Sequence, residues 1–158
     1  MRLNFLCYVF SKLRHSIFNT RYSIFTLILL CFLSCKTYQF NNFPEEQIIF
    51  GNGGGVTGVT VNYILLENGQ LFKTNAWQKD TTELTKIKAS AAKKYFKQLT
   101  DLDWEKIDVN EPGNTYHFLS YKTLNNTYRA TWGATGYEPP EAIKSIYQSL
   151  RKELPYSK

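Results

Sequence analysis

Residues 36–158 contain no cysteine; all three, Cys7, Cys31 and Cys35, stand at the start of the chain. Most of the polypeptide must therefore fold without a disulfide and without a thiolate metal site. Apolar burial alone has to hold it, and about 120 residues suffice, since a domain of that size buries roughly two-thirds of its unfolded surface. The material is present: 43% of residues are apolar, 16% aromatic and only 20% charged. That balance excludes disordered, collagen-like and coiled-coil chains.

Hydrophobic periodicity divides this part of the chain into strands and helices. Gln47–Phe50 reads as a short apolar strand and is followed by Gly51-Asn52-Gly53-Gly54-Gly55. Val56–Leu66 is rich in β-branched residues, with Val59, Val61, Tyr63 and Leu65 alternating onto one face. Asn68-Gly69 is a strong hairpin signal, and Leu71-Phe72-Lys73 returns. Residues 81–88 either extend the sheet or form a loop. Ser90 is placed to cap a helix whose apolar face is Ala92, Tyr95, Phe96, Leu99 and Leu102. After Pro112-Gly113, Tyr116, Phe118 and Ser120 alternate with His117, Leu119 and Tyr121. Asn125-Asn126 turns the chain, and Thr127–Trp132 pairs back. Pro139-Pro140-Glu141 opens a last helix, with Ile143, Ile146, Tyr147, Leu150 and Leu154 on one side and Pro155 as its stop.

Two one-sided helices and two antiparallel hairpins are buried most simply when both helices cover one face of the sheet. The expected fold is α+β, a two-layer sandwich of ββαββα order with a four- to five-stranded antiparallel sheet. The expected division is a leader over 1–34, a tether over 35–46 and a domain over 47–158.

The net charge of +6 does not describe one patch. Arg2, Lys12, Arg14 and Arg21 lie in residues 1–34 without an acid. Removing these four from 19 basic residues leaves the rest at +2 against 13 acids, which argues against nucleic acid as a partner. Lys86, Lys88, Lys93, Lys94 and Lys97 cluster as a solvated helix face would.

Tyr22–Ser34 is an apolar run of 13 residues behind Arg21. A bilayer-spanning helix needs about 20, whereas a secretory core of about 7–15 behind positive charge fits this run. It ends Leu33-Ser34-Cys35, followed by polar Lys36-Thr37. This resembles the lipobox of bacterial lipoproteins: Ser34 matches the small residue before the acylated cysteine, while Phe32 and Leu33 depart from the usual pattern. The resemblance implies a cleaved signal peptide and acylation at Cys35. It further implies a membrane partner through that anchor, with the outer membrane's periplasmic face as the location. Two or more acyl chains anchor stably, because each buried methylene contributes roughly 0.8 kcal/mol. An uncleaved anchor helix and a freely secreted form are the alternatives.

Few residues carry chemistry. Gly53, Gly54, Gly55 and Gly58 formally satisfy G-x-G-x-x-G, but a β-branched strand follows where a dinucleotide site needs a helix, so no cofactor is expected. The glycines instead mark a turn where backbone comes close to another strand or to a partner, a candidate binding turn. His117 is the only histidine beyond the leader and the sole candidate general base near neutral pH. Asp101, Asp103, Glu105 and Asp108 lack the spacing of a calcium loop, and no metal site is expected. Trp77, Trp104 and Trp132 divide between core and interface duty.

The run from Gly53 to Leu71, followed by a helix, a tyrosine-containing strand pair and a helix begun by Pro139-Pro140-Glu141, resembles the emfourin-like family of small α+β proteins. That family includes inhibitors of thermolysin-type metallopeptidases. The resemblance spans residues 48–154, rests on Gly54, Gly55 and Gly58, and identifies no inhibitory residue. It implies a non-catalytic protein that presents a surface to an envelope protein or peptidase. A small enzyme using His117 and a purely structural envelope protein are the competing expectations.

Overall fold

A computed structural model describes residues 37–39, 42–75 and 80–155. Cys35, the leader and Trp77 lie outside the described residues. The chain divides at Lys36, and the compact unit Thr37–Lys158 holds everything described below.

Among the described residues seven strands form one sheet. They are β1 (Gln47–Gly54), β2 (Val61–Leu65), β3 (Leu71–Asn75), β4 (Asp80–Glu83), β5 (Asn110–Glu111), β6 (Thr115–Lys122) and β7 (Thr127–Trp132), in spatial order β4-β3-β2-β1-β6-β7-β5. The helices are α1 (Ala89–Thr100) and α2 (Glu141–Lys152), with a single 3-10 turn at Trp104–Lys106. The α+β class expected from the sequence holds. The strand count and the ββαββα order do not: the sheet has seven strands rather than four or five, four before α1 and three between α1 and α2, and β5 pairs parallel to β7 where all pairs were expected antiparallel. The added strands are the two margins. β4 reads Asp-Thr-Thr-Glu and β5 is two exposed residues, so neither carries an apolar alternation. Hydrogen bonding to β3 and β7 alone makes them strands.

Register fixes what each face presents, because side chains alternate sides along a strand. Ile48 stands opposite Leu65 and Tyr121, Phe50 opposite Tyr63 and Leu119, and Asn52 opposite Val61 and His117. The apolar members of these rows pack with Ala92, Phe96 and Leu99 of α1 and with Ile143, Ile146, Tyr147 and Leu150 of α2 in one core. Each helix thus buries the face its spacing defines. α1 begins one residue before Ser90, with Lys88 at its N-cap and no side-chain cap, so the expected serine cap is not formed. α2 begins directly after Pro140, as its Pro-Pro-Glu opening requires.

The opposite face is apolar at one end. Ile64, Leu66 and Phe72 form a second cluster covered by Tyr38 and Phe43, with Ile49 beside them. The Phe43 and Phe72 rings lie 4.8 Å apart. The segment read as a tether therefore contributes to the fold. The buried amide of Gln70 holds it there: Tyr38 N donates to Gln70 Oε1 at 2.7 Å, and Gln70 Nε2 donates back to Tyr38 O at 3.0 Å. β1 is also longer than its apolar start suggested and runs on through Gly53 and Gly54, which pair with Tyr116 and Thr115 of β6.

Candidate functional site

The two features that the sequence left apart, the glycine turn and His117, meet at one end of the sheet. Asn52 pairs with His117 and Gly54 with Thr115, so the β1–β2 turn stands beside the start of β6.

At the base of the turn the glycines are required by contact with β6. Gly54 has φ +89°, and a Cβ there would lie 2.2 Å from the Asn114 carbonyl oxygen. A Cβ on Gly53 would lie 2.6 Å from Tyr116 Oη, because that ring lies across the glycine and its hydroxyl meets Thr60 Oγ1 at 3.0 Å. Gly55 N donates to Asn114 O at 2.7 Å, and Gly58 N closes the turn onto Gly55 O at 3.1 Å. At the tip a Cβ on Gly58 would meet nothing within 4 Å, and Val56 is fully exposed. The turn is clamped at its root and bare at its apex. The close approach expected of Gly53 and Gly54 is made to another strand; Gly55 and Gly58 support the tip.

On the helix side of the same end, Tyr147 of α2 donates its hydroxyl proton to Gly51 O at 3.1 Å and lies 3.1 Å from His117 Nδ1. With its one proton committed to the carbonyl, Tyr147 accepts from His117. This assigns the imidazole proton to Nδ1 and leaves Nε2 as an acceptor. The Trp132 ring stands edge-on to Tyr147 at 5.0 Å and 6.0 Å from His117. Arg151, one turn after Tyr147, reaches Asn52 Oδ1 at 3.4 Å and lies 5.7 Å from the Tyr63 ring centre. Partial burial of the ring among these aromatics, and then the Arg151 charge, lower the His117 pKa from 6.5, although the residue as a whole is solvent-exposed. Burial pushes the Tyr147 phenol up to about 12. His117 is thus held neutral at pH 7, with the Tyr147 hydroxyl at the ring nitrogen where a catalytic imidazole is commonly oriented by a carboxylate.

The acidic stretch after α1 is locally paired. Asp101 binds Lys97 at 2.8 Å and Asp103 binds Lys106 at 2.6 Å. Among the described residues no three His, Cys, Asp or Glu side chains are grouped to hold a metal. Trp104 is buried between α1 and β7, donating Nε1 to Leu99 O at 2.8 Å and stacking on Tyr128 at 5.5 Å. Together with Thr100, Tyr121 and Thr123 this pair borders an open depression of about 310 Å³. Sequence patterning does not reveal it, because its walls come from three separate segments, residues 100–105, 121–123 and 128. Trp132 is likewise core, and the five clustered lysines are exposed.

No family model matches the chain, and no curated protein shows significant similarity to it.

Proposed function

We propose that this chain is a lipid-anchored protein of the cell envelope, held through Cys35 at the periplasmic face of the outer membrane. Its domain is non-catalytic and binds another protein through the Gly53–Gly58 turn. The observation that carries this reading is Val56, a fully exposed apolar side chain on a turn whose base is fixed to β6 by Gly54 and Gly55. A rigid loop offering one apolar side chain loses little conformational entropy when a partner's pocket takes it, so the contact yields net affinity. The partner class in keeping with the emfourin-like resemblance is a thermolysin-type peptidase. The environment of His117 favours binding over general-base catalysis, since Arg151 weakens the base and Tyr147 occupies Nδ1.

Titration of a thermolysin-type peptidase with the purified protein tests the binding reading. Stoichiometric inhibition is expected, and Val56→Asp should weaken it at least tenfold while the circular dichroism spectrum is retained. Absence of inhibition, or equal inhibition by Val56→Asp, would rule out the assigned partner and surface. Incorporation of labelled palmitate, lost on Cys35→Ala, tests the anchor.

A further inference from the structure

We propose that the Tyr38–Gln70 clamp sets the domain end-on to the bilayer, with the β2–β3 and β6–β7 turns toward the lipid headgroups and the Gly53–Gly58 turn outward. This rests on the proposed acylation of Cys35. Three observations carry it.

The first is reach. Tyr38 is fixed to the domain through both backbone groups by Gln70, itself 1% exposed. Cys35 is three residues upstream. Three residues span at most about 10 Å, so an acyl chain on Cys35 brings Gln70 close to the headgroups. A tether running to residue 46 would have allowed several times that distance.

The second is register. Leu65 pairs with both Ile48 and Leu71, and Gln47 pairs with Lys122. The turn holding Gln70 and the turn holding Leu124 therefore lie at one end of the sheet, and Gly54 lies at the other. β1 has 8 residues between these ends, or about 26 Å at 3.3 Å per residue.

The third is the surface at the clamped end. Leu124 is 73% exposed at the apex of the β6–β7 turn, an apolar side chain free to enter the interface. Glu45, Glu46 and Glu67 are exposed near the same end, and so are Lys86 and Lys88 on either side of Ile87, whose N–H bonds Gly69 O at 3.0 Å, so acids and bases offset one another there. The orientation comes from the clamp and the anchor.

The test uses the full-length protein expressed with its leader, in a Cys7→Ser, Cys31→Ser background. It is recovered in its acylated form and placed in phosphatidylethanolamine–phosphatidylglycerol vesicles carrying a headgroup nitroxide. A fluorophore is attached at Asn125→Cys in one sample and at Thr57→Cys in another. Quenching at 125 is expected to exceed quenching at 57 at least threefold, and to persist in high salt. Gln70→Leu, or Tyr38→Pro if the first variant does not fold, should reduce the difference to less than 1.5-fold. Equal quenching at both positions of acylated protein, or a difference unchanged by both clamp variants, overturns the orientation. The intact mass of the same preparation separates the two ideas: a polypeptide without acyl chains overturns the anchor itself, and the orientation with it.

Discussion

The side-chain amide of Gln70 pairs with the backbone of Tyr38 as a neighbouring strand would, giving one hydrogen bond and taking one. Its remaining capacity is also used: Asn68 Nδ2 donates to Oε1 at 2.6 Å, and Nε2 donates to Glu83 Oε1 at 3.0 Å. One residue thus joins the N-terminal segment, the β2–β3 turn and the marginal strand β4. Gln70→Leu should cost about 2–3 kcal/mol, as several bonds of about 1 kcal/mol each are lost and the segment over Phe72 loosens. Gln70→Glu should cost more, because it removes both donors and sets a second carboxylate against Glu83. Urea unfolding midpoints measure both, and early protease cleavage between residues 37 and 46 should accompany the loss.

His117 makes stability depend on acid. Its folded pKa lies below the unfolded value of 6.5, so the unfolded chain binds more protons between the two. Stability is therefore unaffected above about pH 7 and falls as pH drops through 6.5 toward the folded pKa. NMR titration of the imidazole should give a midpoint below 6.5, and Arg151→Met should raise it. His117→Asn should flatten the acid limb of the stability curve. A midpoint unmoved by Arg151→Met would remove the arginine from the account.

The glycines of the turn should differ sharply in tolerance. Gly54→Ala combines positive φ with a Cβ 2.2 Å from a backbone oxygen that β6 cannot withdraw, and should cost about 3 kcal/mol or prevent folding. Gly58→Ala meets only the backbone cost of φ +63° in open space, about 1 kcal/mol. Comparable losses from thermal melts of the two variants would contradict the root-and-apex description.

Ser120 lies on the sheet face away from the helices, and among the described residues its buried hydroxyl has no hydrogen-bond partner. Removing an unsatisfied buried hydroxyl relieves a desolvation cost, so Ser120→Ala should raise stability by about 1 kcal/mol. A denaturation midpoint shifted downward would show that the hydroxyl has a role in the folded state.

What was legible in the sequence followed burial. The β2 alternation Val61, Tyr63, Leu65 and the α2 face Ile143, Ile146, Tyr147, Leu150 all enter the core through the pattern that announced them. β4 was left open between sheet and loop, and β5 was illegible, because both are held by main-chain hydrogen bonds and bury almost nothing. The covering role of Tyr38 and Phe43 was illegible for a different reason. Their partners Gln70 and Phe72 lie about thirty residues away, and a polar Gln gives no sign that it will be buried. The glycine turn and His117 were each found, but their adjacency follows from the β1–β6 register, which pairs segments over sixty residues apart.

The sheet's margins have a consequence for encounters between copies of the chain. A bare edge of main-chain donors and acceptors invites pairing with the next molecule. Here one margin is the short polar run Asp80–Glu83, and the other is Asn110–Glu111 laid along the end of β7, where Thr131 N already bonds Val109 O at 2.8 Å. Copies meeting edge to edge find a four-residue polar run at β4 and, beside β7, only Thr127–Ala130 beyond the reach of β5, so few positions are left for one molecule to lengthen the sheet of the next.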